Sequence, residues 1–214
     1  TTKAQRKLFF NLRKNKKHQY LEEATTIGSY RPYVKQHLYF DRSFVNDVGL
    51  NPRFFPSKHF ANKLICVSGT GARAGFSAII TEHVSDLELV EKSQCFPLYL
   101  YEKAEDSTAD SDDLFASSES NATHTENGYT RKDGISDAGL AHFQKAYPGE
   151  TISKEDLFYY IYGLLHSPEY RTRYADNLSK ELPRIPAVKK ATDFWAYSKA
   201  GRDLAHFHLN YETV

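Results

Sequence analysis

Apolar residues follow two kinds of pattern along the chain. In the first half they gather in short runs rich in β-branched and aromatic side chains. In the second half they recur every three or four residues. The runs at 64–68, with Ile65 and Val67, and at 76–81, with Ile79 and Ile80, predict two strands. Gly69-Thr-Gly-Ala-Arg-Ala-Gly75 joins them as a hairpin or a tight strand–loop–strand. Its three glycines let the backbone take positive φ and approach a partner closely. Phe96-Pro-Leu-Tyr-Leu-Tyr101 predicts a further strand, with Pro97 placing its start at an edge. Upstream, residues 28–44 read as an amphipathic stretch, extended at Arg31 because Pro32 follows it. Residues 1–21 read as a basic helix with a narrow apolar stripe of Ala4, Leu8 and Leu12.

The helical period takes over after residue 135. Ser136 can cap a helix reaching about Tyr147, with Leu140, Phe143 and Tyr147 on one face. Ser153-Lys-Glu-Asp156 resembles a capping box ahead of 157–166. Ser167-Pro168 starts another helix, since proline suits its first position. Tyr170, Tyr174 and Leu178 form that helix's apolar face. Pro183 and Pro186 enforce an extended passage. Thr192 or Asp193 then opens a last helix, with Phe194, Tyr197, Leu204 and Phe207 along one side. The expected class is α+β: a mixed or antiparallel sheet region followed by a C-terminal helical cluster.

Composition divides the chain further. Residues 104–130 hold 7 Asp/Glu and no Lys/Arg, are rich in Ser, and offer too little apolar mass for a core. The chain therefore divides into a basic lead-in helix or linker (1–27), a β-rich region (28–103), an acidic disordered insert (104–134) and a helical part (135–214). The net charge of +1 hides a segregation, because residues 1–103 carry 16 Lys/Arg against 9 Asp/Glu. That half is the part able to attract a polyanion. The absence of Met implies that the chain begins inside a longer protein. No apolar run approaches the roughly 20 residues of a membrane span. Cys66 and Cys95, in apolar contexts, read as buried thiols of a reducing cytoplasm. Nine His without CxxC or HxxxH spacing give no zinc site.

The candidate chemistry is recognition rather than catalysis. The glycine-rich loop lacks both the GxGxxG spacing and a terminal GK[ST], so it is no nucleotide cradle. Its one long side chain, Arg73, on a mobile loop between buried strands, suits phosphate or guanine. Gln94 suits an adenine edge. Arg31, Lys35 and Arg42 are interleaved with the aromatics of 30–44, a mixture able to contact nucleic acid. Asn51-Pro-Arg-Phe54 departs from the Asn-Pro-Pro-aromatic motif of amino-methylating enzymes at Arg53, so catalysis is rejected there. Arg53 and Lys58 read instead as polar members of a loop. No paired-acid nuclease pattern and no nucleophile–histidine arrangement appears.

Several stretches together resemble one family. They are Tyr30-Arg-Pro-Tyr-Val-Lys-Gln-His-Leu-Tyr-Phe-Asp41, Gly75-Phe-Ser-Ala78, Gln94-Cys-Phe-Pro-Leu-Tyr-Leu-Tyr-Glu102, Glu155-Asp-Leu-Phe-Tyr-Tyr-Ile-Tyr-Gly163, Leu165-His-Ser-Pro-Glu-Tyr-Arg171, Leu182-Pro-Arg-Ile-Pro186 and Leu209-Asn-Tyr-Glu212. In this order they resemble the C-terminal specificity domain of type ISP restriction–modification enzymes. The resemblance implies a non-catalytic target-recognition domain for double-stranded DNA. Its partners would be methyltransferase and helicase domains of the same polypeptide. S-adenosylmethionine, ATP and magnesium would bind in those other domains, and none in this fragment. The other reading is a protein-interaction domain docking on the motor or methyltransferase. The expected DNA-binding residues are Arg31, Lys35, Arg42, Arg53, Lys58, Arg73 and Gln94.

Overall fold

The computed structural model describes residues 9–10, 13–15, 17–45, 48–103 and 124–213. Strands β1 (Thr25–Arg31) and β2 (Val34–Tyr39) form an antiparallel hairpin around Pro32-Tyr33. Tyr33 takes a positive φ of 59°, uncommon for a bulky residue. Its ring is held edge-on by Tyr211 at 5.2 Å and His208 at 5.5 Å. After the short helix α1 (Asn51–Phe54), β3 (Leu64–Val67) pairs antiparallel with both β4 (Ala78–Thr81) and β6 (Gln94–Pro97). The two-residue β5 (Val84–Ser85) runs parallel to β1, so the first sheet is mixed. Strand β7 (Tyr99–Lys103) pairs with β9 (Tyr129–Asp133), which pairs with β8 (His124–Glu126). The helical cluster follows: α2 (Asp137–Ala146), α3 (Lys154–His166), α4 (Pro168–Arg173), α5 (Ala175–Lys180) and α6 (Ala191–Leu209). None of these helices is long and apolar enough to cross a membrane.

Strand β3 explains why the two halves form one body. All four of its residues are buried. Ile65 and Val67 face the helical core with Phe158, Tyr160 and Phe194. Leu64 and Cys66 face a second core with Phe54, Phe55, Ile79 and Leu89. A strand covered on both faces reads as a continuous apolar run, which is how Leu-Ile-Cys-Val appears in the sequence.

The helix starts follow from their caps. Ser136 Oγ accepts from Gly139 N at 3.1 Å. Ser153 and Asp156 form the reciprocal box, each accepting the other's backbone N–H at 3.0 Å. Ser167 Oγ accepts from Tyr170 N at 3.3 Å. The proline-bearing passage 182–190 cannot satisfy its own carbonyls through a helix. Three tyrosine hydroxyls do so instead: Tyr160 donates to Pro186 O (2.6 Å), Tyr170 to Arg184 O (2.8 Å) and Tyr147 to Val188 O (2.8 Å). This explains buried Tyr where Phe would serve packing alone.

Several sequence expectations change, among them the single strand expected over 96–101, which divides at Leu98 between β6 and β7 in separate sheets. Residues 129–133 lie in the stretch assigned to a disordered insert, yet they pair along β7. Asn127-Gly128, with φ of 49° and 79°, is a two-residue hairpin turn that needs both positive values and folds β8 onto the other edge of β9. Residues 104–123 of that insert lie outside the described residues. The helix begun at Pro168 breaks at Tyr174 into α4 and α5, although Tyr170 and Leu178 are buried as expected. Phe207 leaves the buried side of α6 and is 50 % exposed. Of the expected first helix, residues 9, 10 and 13 are helical and Lys17–Leu21 are not, and residues 1–8, 11–12 and 16 lie outside the described residues.

A polar cluster joins α3, α4 and α6. The Tyr162 hydroxyl lies 2.5 Å from His208 Nδ1, and His166 Nδ1 lies 3.4 Å from Arg171 Nη2. Nε2 of His166 is buried without a partner among the described residues. Burial first, then the charge of Arg171 and the ring of His208, holds the His166 imidazole down at about 4, against 6.5. The folded state therefore prefers neutral His166. Its contribution is complete above pH 6.5 and is lost as pH falls toward 4, because the unfolded chain binds the proton first. Partial exposure reduces the effect to about 2 kcal/mol. Urea unfolding across that range should show a steeper decline for the wild type than for His166→Asn, and parallel profiles would refute the assignment.

Candidate nucleic-acid interface

The loop 69–75 is fastened on three sides, which departs from the mobile loop expected from its glycines. Gly71 and Gly75 take φ of 69° and 80°, a region that glycine enters without strain. Ser68 Oγ bridges the loop base, accepting from Ser77 N (2.7 Å) and donating to Gly75 O (3.0 Å). The Glu91 carboxylate catches the tip. Its Oε2 accepts from Arg73 N (2.7 Å) and Ala74 N (3.1 Å), and its Oε1 accepts from Arg73 Nε (3.0 Å). These bonds, led by that from Ala74 and the Arg73 side chain, hold the Glu91 carboxyl below the usual carboxylate range. Lys92 Nζ donates to Gly71 O (3.1 Å) and Thr70 O (3.4 Å). On the helical side, Gly71 N donates to Ser179 O at 3.4 Å. A Cβ at Gly69 would lie 2.5 Å from Lys92 O, so the close approach requires glycine there.

The result is an oriented guanidinium. Arg73 is 93 % exposed at its side chain, and of its three guanidinium nitrogens only Nε is bonded among the described residues. The two Nη groups are left without a partner among the described residues. That is the geometry needed for end-on bidentate donation to a phosphate or to guanine O6 and N7.

Two of the expected residues pair with carboxylates of the segment 86–93, and a third follows it in the chain. Arg73 is tied to Glu91, near its end. Arg31 closes β1 and pairs with Asp86 at 3.2 Å, at its start, with its guanidinium 4.0 Å from the Tyr30 ring centroid. Gln94 follows the segment as the first residue of β6, exposed and opposite Val67. Lys35 lies near Arg31, the two lining one small pocket with Tyr33 and His83. Lys35 pairs with Glu212 at 3.2 Å. Arg53, on the helical turn α1 rather than in a loop, pairs with Glu102 at 2.6 Å, a carboxylate that also holds Lys132 at 2.6 Å. Lys58 and Arg42 are exposed. Glu91 and Lys92 were not expected. Nothing local marks Glu91 as the catch for a loop 18 residues away, and Lys92 reaches its carbonyls through a positive φ of 55° that no side-chain pattern announces.

The full chain, residues 1–214, matches the family model of the Type ISP C-terminal specificity domain. The chain belongs to that family. Three solved structures share the fold of this specificity domain. One is the cryo-EM structure of the DrdV–DNA complex, at 30 % identity and a TM-score of 0.79 over 100 % of this chain. A second is the ATP-dependent Type ISP restriction–modification enzyme LlaBIII bound to DNA, at 28 % identity and 0.76 over 98 %. A third is a nuclease-deletion mutant of the Type ISP restriction–modification enzyme LlaGI with a DNA substrate mimic, at 31 % identity and 0.70 over 95 %. The domain spans 18 %, 12 % and 15 % of those chains respectively. Among curated proteins none matches the chain.

Proposed function

We propose that this specificity domain reads a short asymmetric sequence of double-stranded DNA and presents an adenine to a methyltransferase domain of the same polypeptide. The observation that carries the reading is Arg73, an exposed guanidinium oriented by Glu91 on a loop anchored between two buried strands. Arg31, paired with Asp86, and Gln94, the exposed first residue of β6, are the further contacts of this reading, with Lys35, Arg42, Arg53 and Lys58 as additional cationic candidates. The DNA-bound relatives support the reading, since each carries this fold within a chain several times longer. Catalysis, S-adenosylmethionine, ATP and magnesium are assigned to the other domains.

A docking role is the second reading. It is favoured by the exposed aromatic patch of Tyr20, at 68 %, and Phe44, at 45 %, beside Tyr39 on the first hairpin.

Methylation mapping in a host carrying the full-length protein would define the target. The chain titrated with that duplex over a salt series should then show a linear fall of log K with log salt. Each phosphate contact adds about −0.9 to the slope, so three or more contacts give about −3 or steeper. A slope near zero would leave only the docking reading.

A further inference from the structure

Two sulfur atoms sit together in the middle of the sheet, and target recognition uses neither. Cys66 on β3 and Cys95 on β6 are direct register partners across the antiparallel pair. Their Sγ atoms are 3.2 Å apart, and the Ser85 hydroxyl lies 3.4 Å from Cys95 Sγ and 3.8 Å from Cys66 Sγ. Cys66 is fully buried, whereas Cys95 is partly accessible. Partners on antiparallel strands have Cα atoms about 4.5–5.5 Å apart, inside the roughly 4.4–6.8 Å that a disulfide spans. The strands need not move for the sulfurs to bond.

We propose that Cys66 and Cys95 form a redox-reversible pair, closing a cross-strand disulfide between β3 and β6 when the chain meets a small disulfide of the glutathione type. The two thiols divide the work. The hydrogen bond between the sulfurs pulls Cys95 below the usual thiol range, and the same bond, with burial, pushes Cys66 above it. The accessible Cys95 sulfur, having lost its proton, attacks one sulfur of the small disulfide. That S–S bond breaks and one small thiolate leaves, taking up a proton. Cys66 then attacks the Cys95 sulfur of the mixed disulfide, and its own proton goes to the second departing thiol. Two protein thiols are oxidised and one small disulfide is reduced to two thiols. The bond would pin β6, which begins at Gln94, to the central strand. The inference is independent of DNA binding.

The test equilibrates the folded chain in glutathione buffers of rising oxidised-to-reduced ratio, followed by acid quench, alkylation and peptide mass mapping. The expected product joins the Cys66 and Cys95 peptides with the loss of two hydrogens, and dithiothreitol reverses it. In Cys95→Ser, Cys66 should stay reduced throughout, because it is buried. The proposal is overturned if both wild-type sulfurs still alkylate as thiols at the oxidising end. It is equally overturned if glutathione adducts on Cys95 persist without a cross-link.

Discussion

Alanine at Gly201 is expected to destabilise the chain by about 3 kcal/mol, near the upper end for overpacking. Helices α3 and α6 cross where Gly163 and Gly201 face each other. A Cβ at Gly201 would lie 1.9 Å from Tyr159 O and 2.9 Å from Gly163 N. Both are backbone atoms, which cannot rotate aside as a side chain would. Relief requires the helices to separate, and that separation strains everything their contact holds. Phe194 stacks on Tyr160 with centroids 4.7 Å apart. Ser198 Oγ donates to Asp156 O at 2.9 Å, and Arg202 pairs with Asp156 at 2.6 Å while lying 4.4 Å from the Tyr159 ring centroid. Helix propensity acts the other way, favouring Ala over Gly by about 1 kcal/mol. The clash must outweigh that gain, so the sign of the change is itself informative. Chemical denaturation followed by circular dichroism should show a lower midpoint, and a variant as stable as the wild type would mean that the helices do not meet this closely.

Much of this architecture was legible in the residues. The caps at Ser136, Ser153 and Ser167 follow from local chemistry, and so do the strands on either side of the glycine-rich loop. Asn127-Gly128 was equally legible as a hairpin turn, but the acidic stretch before it masked the signal. The ion pairs were not legible. Arg31, Lys35 and Arg53 find Asp86, Glu212 and Glu102 at separations of 55, 177 and 49 residues. Periodicity reports which face a side chain takes, not what the fold brings to that face. For the same reason the seven candidate residues looked equivalent in sequence, whereas the fold gives Arg73, Arg31, Lys35 and Arg53 different carboxylate partners. Phe207 follows Leu204 by three residues and still lies half exposed, because the buried face of α6 runs through Phe194, Ser198, Gly201 and Ala205, mostly small residues that an apolar period does not mark.

Arg73→Ala is expected to weaken binding to the cognate duplex by roughly 1–3 kcal/mol, and to weaken binding to unrelated DNA less. The difference follows from geometry. Glu91 occupies Nε and leaves the two Nη groups available as a fork. A fork matches guanine O6 and N7 together, and a phosphate needs only its charge. If Arg73 served a phosphate alone, both duplexes would weaken alike and the salt slope would fall by about one. Arg73→Lys separates the cases further, since lysine keeps the charge and loses the planar fork. Retained affinity with relaxed specificity marks base reading. Retention of both would move the reading head to Arg31 and its neighbours.

The claim that this domain reads sequence is tested most directly by competition. A labelled cognate duplex bound to the wild-type chain is displaced, in fluorescence anisotropy at fixed physiological salt, by unlabelled cognate or by a scrambled duplex of equal length and composition. The cognate should compete at least about 10³-fold better, the lower bound of specific over non-specific binding. Equal competition by the two duplexes would contradict sequence recognition by this domain.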